Sequence, residues 1–103
     1  MKAVKVQYTV KPEYINENKK NIEKVMGALR VNPIKGMQYS AFVDQENPNT
    51  FIHINMAIDD DTMAKINEVQ EFRDFRQALK ASQPLVSPSA TKLKPVGHGF
   101  DLT

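Results

Sequence analysis

Three side chains stand out for the chemistry their types and positions allow: Tyr8, Tyr39 and His53. An imidazole gains and loses a proton near neutral pH, so His53 is the natural candidate for a general base or a ligand. A structural hydrogen-bonding role is the competing reading for it, because a titratable group on a strand marks a site only statistically. A tyrosine in an apolar layer needs a partner for its hydroxyl. For Tyr8 and Tyr39 that partner could be a pocket group, a water or a bound ligand, and the plain alternative is a core aromatic. Asp59-Asp60-Asp61 suggests a cation site at first sight, but consecutive acids converge on one ion only in a tight loop, and no calcium-loop spacing follows. Helix capping by a short carboxylate is the better account. His98 lies between two glycines with no ligand neighbour. No phosphate loop, nucleophile elbow or helical His pair is present. The chain has no Cys, which excludes disulfides, thiolate metal sites and a cysteine nucleophile.

These residues sit in segments with clear periodicity. Residues 3 to 10 alternate, with Val4, Val6, Tyr8 and Val10 on one face. Pro12 and Glu13 suit a helix start, and Ile15, Ile22, Val25, Met26 and Leu29 form an apolar stripe up to about Arg30. Asn32-Pro33 ends that helix. Alternation returns from Met37 to Asp44, a turn-forming segment covers 45 to 49, and a third strand runs from Phe51 to Ile58. Met63, Ile66, Val69, Phe72, Phe75 and Leu79 are spaced mostly by threes. Strict threes drift around an ideal helix, which predicts a short helix, an irregularity over 67 to 69, and a longer helix to about Ala81. Ser89 to Val96 reads as a last strand whose flanking prolines suit a sheet edge.

The order βαββαβ is that of a ferredoxin-like α+β fold: a four-stranded antiparallel sheet with both helices on one face. Residues 1–97 form the single domain and 98–103 a C-terminal tail. Met37, Tyr39, Ala41 and Val43 belong with Tyr8 on the helix side. The wholly apolar set Ile52, Ile54, Met56 and Ile58 is assigned to the same side. That leaves His53, Asn55, Phe51 and Ala57 on the uncovered face, with Gln7, Thr9, Gln38, Ser40 and Phe42.

Composition narrows the partners. With 103 residues, 14 Lys plus Arg and 12 Asp plus Glu, the chain fits one domain of nearly balanced charge. It lacks the basic excess of a nucleic-acid binder. Neither a membrane-spanning run nor a signal-peptide pattern is found, so the expected location is the cytoplasm.

Several segments in sequence then resemble one family. Lys11-Pro12-Glu13 opens helix one, Gly36-Met37-Gln38-Tyr39 enters strand two, an Asp-containing hairpin follows, and Glu68-Val69-Gln70-Glu71-Phe72-Arg73-Asp74-Phe75 carries an F-x-x-F pair. The layout over about residues 3 to 96 resembles the antibiotic biosynthesis monooxygenase type of dimeric α+β barrel. The resemblance implies a homodimer whose sheets face one another, and a small-molecule pocket between sheet and helices. It also implies a reaction in which an electron-rich aromatic substrate itself reacts with O₂, without cofactor or metal. Tyr8, Tyr39 and Asn67 would orient the substrate; Asn55 is the other residue of a type such members use around it, and His53, on the uncovered face, is a further catalytic candidate. Haem-acting members carry a Trp and a helix-two His. This chain has no Trp and places about Ile66 where that His falls, which argues against haem degradation. The second reading is a non-catalytic dimeric barrel that binds a small apolar ligand or serves as an interaction module.

Overall fold

The computed structural model describes residues 1–102. The sheet is built from β1 (Lys2–Thr9), β2 (Met37–Val43), β3 (Thr50–Ala57) and β4 (Val86–Leu93) in the order β2-β3-β1-β4, every pair antiparallel. The helical layer comprises α1 (Ile15–Val31), the short α2 (Asp60–Ala64) and α3 (Gln70–Ala81). This is the expected ferredoxin-like α+β arrangement.

The local reasons are visible along the chain. Pro12 starts a single tight turn, Pro12–Tyr14, that leads into α1. Asp59 caps α2, its Oδ1 accepting from the Thr62 backbone N–H at 2.8 Å, so one of the three acids has the capping role expected. The spacing of threes resolves into α2, a 3₁₀ turn over Lys65–Glu68 and then α3, because a three-residue repeat suits the tighter helix. Gly36 adopts φ +82° at the entrance to β2, and a Cβ there would lie 2.9 Å from the Ile58 side chain. Glycine alone meets both demands.

β4 begins and ends earlier than expected, taking in Pro88. Its pairing with β1 slips between Gln7 and Thr9, whose partners are Ser89 and Val86, so two residues of β4, Ser87 and Pro88, stand opposite Tyr8. A bulge on an edge strand tolerates a residue that has no N–H to donate.

The larger correction concerns β3. Cross-strand partners share a face, and the register places Phe51 opposite Tyr8, His53 opposite Val6, and Asn55 opposite both Val4 and Tyr39. Phe51, His53, Asn55 and Ala57 are therefore on the helix side and buried, while Ile52, Ile54 and Met56 are half-buried on the open face. The most apolar face of the strand is the one the helices do not cover. The core beneath the helices is Tyr8, Val10, Val25, Phe51, Phe75 and Leu79. β4 is exposed along its whole length, so the helical layer stops short of that edge. Among the described residues, no helix is long and apolar enough to cross a membrane.

Candidate functional site

The gap between α3 and β4 is a groove of about 1250 Å³, open to solvent, with β1 and β3 as its floor and Phe72 and Phe75 in its wall. At the floor, one chain of polar atoms crosses the sheet. Asn18 Nδ2 donates to Tyr8 Oη at 2.9 Å, Tyr8 Oη lies 2.8 Å from His53 Nε2, and Tyr39 Oη lies 2.5 Å from His53 Nδ1. His53 thus bridges a tyrosine on β1 and a tyrosine on β2, with Tyr8 and His53 only 1% and 4% exposed.

Aromatic packing holds this chain in place. Tyr8 stacks on Phe51 with centroids 5.5 Å apart, the imidazole stacks on Phe75 at 5.3 Å, and Tyr39 meets the edge of Phe72 at 6.0 Å. Burial holds His53 down to about 4. Burial likewise raises both Tyr8 and Tyr39 well above the ordinary phenol, the Asn18 hydrogen bond opposing part of the effect at Tyr8. All three rings are neutral at neutral pH.

Neutrality constrains the protons, since a neutral imidazole has one N–H and one lone pair. Tyr8 Oη already accepts from Asn18, so its own proton is best placed on Nε2. Nδ1 then carries the imidazole proton and donates to Tyr39 Oη. In this arrangement the Tyr39 hydroxyl keeps its proton free to point into the groove it lines.

Of the residues expected to form a site, Tyr8, Tyr39 and His53 come together directly. His53 lies on the helix side with them, not on the uncovered face with Gln7. The cause is the β3 register, which puts His53 opposite Val6. Asn67 is placed differently: it lines the outer groove wall, its backbone oxygen accepting from Arg73 Nη1 at 2.9 Å and its Oδ1 from Arg76 Nη1 at 3.4 Å. Asn55 is 8% exposed, faces the groove, and forms no hydrogen bond through its carboxamide; its Oδ1 is fully buried.

Asn18 escaped sequence reasoning, although a signal existed. Ile15, Asn18, Ile22, Val25 and Leu29 follow spacings of 3, 4, 3 and 4, so this asparagine occupies a core position of the apolar stripe. It is fully buried. A polar residue in such a slot implies a buried partner.

The amino-acid sequence matches no protein-family model and no curated protein. Solved structures do share the fold. One named antibiotic biosynthesis monooxygenase superposes with a TM-score of 0.80 at 22% identity, over 94% of this chain and 100% of that one. A Mycobacterium tuberculosis protein gives 0.80 at 10% identity, over 96% and 98% of the two chains. A Pseudomonas aeruginosa protein gives 0.77 at 16% identity, over 93% and 94%. The chain therefore has the ferredoxin-like α+β fold found in the structure named antibiotic biosynthesis monooxygenase. The likeness spans nearly the whole of both chains in each comparison.

Proposed function

We propose that the protein is a small-molecule enzyme of the cofactor-independent monooxygenase type, acting on an electron-rich aromatic compound bound in the groove between the sheet and α3. The observation that carries this reading is the Tyr8–His53–Tyr39 chain at the foot of an aromatic-walled groove. A pocket of mainly apolar lining with a few convergent polar groups is the usual form of a small-molecule site. The reaction class balances without another reductant. A phenol reacts with O₂ to give a quinone and water, the ring losing two hydrogens and gaining one oxygen atom, so the substrate supplies all four electrons that O₂ accepts.

Tyr39 is the residue placed to touch the substrate oxygen. The substrate phenol gives its proton to water in the open groove, and the outward Tyr39 proton stabilises the phenolate that remains, the form that gives up an electron most readily, by a charge-assisted hydrogen bond. His53 is a positioning residue, since its Nδ1–H determines that the Tyr39 proton points outward. Oxygen uptake with a fluorescent naphthol as substrate, together with transfer of label from ¹⁸O₂ into the product, tests this. Tyr39→Phe is expected to lower kcat about a hundredfold with KM changed much less, in the range of a lost transition-state donor. If naphthol binds but takes up no oxygen, the ligand-binding alternative replaces the enzyme reading.

The same reading includes a homodimer. Ile52, Ile54 and Met56 of β3 and Phe42 of β2 form an apolar strip on the open sheet face, with Phe42 directly opposite Ile52. Such a strip on a small domain marks a face that another surface covers. Light scattering at micromolar concentration is expected to give twice the mass of the chain, and Ile54→Asp to give the single-chain mass with the fold retained by circular dichroism. A wild-type protein of single-chain mass would remove the dimer from the proposal.

A further inference from the structure

The hydrogen-bonded chain at the groove floor has one end in the core and one at the groove. Its inner end is Asn18 of α1, fully buried and outside the groove lining, with Nδ2 donating to Tyr8 Oη at 2.9 Å. Its outer end is Tyr39, which lines the groove and lies 2.5 Å from His53 Nδ1. Each group between these ends both donates and accepts: a phenol has one proton and an acceptor oxygen, and a neutral imidazole has one N–H and one lone pair. Such a chain has two directions. Outward, Asn18 donates to Tyr8, Tyr8 to Nε2, Nδ1 to Tyr39, and Tyr39 to the groove. Inward, Tyr39 donates to Nδ1, Nε2 to Tyr8, and Tyr8 to an acceptor at the buried end, which leaves a Tyr39 lone pair facing the groove.

The inward direction depends on that buried acceptor, because a Tyr8 proton facing carbon is costly. Asn18 supplies it. Its Oδ1 is buried and has no hydrogen-bond partner. A half-turn of the carboxamide exchanges Oδ1 and Nδ2, two ends of nearly equal size, and so brings the oxygen to Tyr8 without breaking any bond that Oδ1 makes. With no ligand at Tyr39 the outward direction is favoured, since an orphaned carbonyl oxygen is better tolerated than orphaned amide N–H groups. The difference is on the scale of one hydrogen bond, which a ligand contact offsets.

We infer that Asn18 is a positioning residue that makes the chain reversible, so that Tyr39 gives a hydrogen bond to an anionic ligand oxygen and takes one from a neutral hydroxyl. The inference rests on the groove being the ligand site and deepens the proposed reaction: one tyrosine holds the substrate oxygen before its proton leaves and after. Asn18→Leu fills the same place in the apolar stripe but provides neither donor nor acceptor. The chain then stays outward.

4-Nitrophenol is the probe, since it ionises near neutral pH, changes absorbance when it does, and is too electron-poor to be consumed by O₂. Binding to the full-length wild type and to Asn18→Leu is followed by amide chemical shifts at pH values on either side of the probe's ionisation. Burial keeps His53 neutral at both. The His53 tautomer is read from two-bond proton–nitrogen correlations of the ¹⁵N-labelled imidazoles, with His98→Gln assigning the other histidine. In the wild type, nitrophenolate is expected to leave the proton on Nδ1, and neutral nitrophenol to move it to Nε2. In Asn18→Leu the proton is expected to stay on Nδ1 with both forms. The variant should bind the neutral form about tenfold less tightly than the wild type while keeping the anion, a factor that one hydrogen bond supplies. Absorbance titration reads the same difference as ionisation of the bound probe about one pH unit lower in the variant. Arg73, Arg76, Lys80 and Asp60 line the groove in both proteins, so their charges cancel from that difference. A loss of packing alone would weaken both forms alike. The wild-type tautomer measurement stands without the variant.

One tautomer under both forms of a groove-bound probe, or equal weakening of both forms in Asn18→Leu, overturns the inference and leaves the groove as the ligand site. Binding of neither form, or shifts confined to residues away from the groove, overturns the ligand site as well. Tautomer reversal without oxygen uptake from naphthol upholds the inference and removes only the proposed reaction.

Discussion

On acidification from pH 7 to pH 4, the protein is expected to lose about 3 kcal/mol of folding stability through His53 alone. The imidazole sits at about 4 in the folded chain against an ordinary 6.5, and each unit of difference is worth roughly 1.4 kcal/mol. The unfolded chain binds the proton first as pH falls below 6.5, so unfolding gains on folding through that window until the folded state also protonates near 4. Above 6.5 the ring is neutral in both states and contributes no slope. For a chain of this size the loss corresponds to a fall in Tm on the order of 15 °C. Urea unfolding at several pH values for the wild type and for His53→Gln measures it, because glutamine retains hydrogen-bonding capacity without titrating. The variant should be less stable at pH 7 and should lack the extra slope between 6.5 and 4. Parallel curves for the two proteins across that window would show that His53 is not held neutral by the fold.

Phe75→Ala is expected to cost about 3–5 kcal/mol, the range for truncating a buried aromatic ring. Phe75 is 5% exposed, stacks on the His53 ring and neighbours Phe72 at 6.1 Å, so its loss opens the core toward the groove. The consequence reaches the site, because the imidazole loses the surface that orders its ring plane. Phe75→Leu, which keeps most of the volume, should cost about 1 kcal/mol. Urea midpoints give both values, and a loss below 1 kcal/mol for the alanine variant would mean that the ring is not part of a close-packed core. The His53 ring proton signals should broaden or shift in Phe75→Ala more than in Phe75→Leu.

Much of the fold was legible in the residues because each segment satisfied its period. The alternation in β1 and β2 located the helix-side faces through Tyr8 and Tyr39, and the spacing of threes from Met63 to Phe75 located the change from α2 to α3. β3 departs from the expected facing for a physical reason. Both of its faces can be buried, and assigning the all-apolar one to the helices assumes that the helical layer is the strand's main apolar neighbour. The register shows otherwise: His53 lies opposite Val6 and Asn55 opposite Val4 and Tyr39, on the helix side, and Ile52, Ile54 and Met56 face away. Tyr8, Tyr39 and His53 could each be singled out from the sequence, but their contact could not, since 45 residues separate Tyr8 from His53 and only strand pairing joins them. Pro88 shifted β4 for a similar reason: a proline interrupts a regular ladder, yet a bulge accommodates it.

Asn18 has a consequence for how uniquely the chain folds. An amphipathic helix lying on a sheet through aliphatic contacts alone can rotate or slide by a few residues and still bury its stripe. α1 has little such freedom, because its stripe contains one carboxamide and the layer below it presents Tyr8 Oη as the hydrogen-bond partner. A displaced register would strand the amide against carbon while the tyrosine lost a donor, and the Oδ1 that is already unpartnered leaves no reserve to absorb that loss. The asparagine thus acts as an indexing pin: it sacrifices some packing energy so that compact but mis-seated arrangements of the helix are poorer competitors, the same exchange that a single buried asparagine makes in a coiled-coil seam.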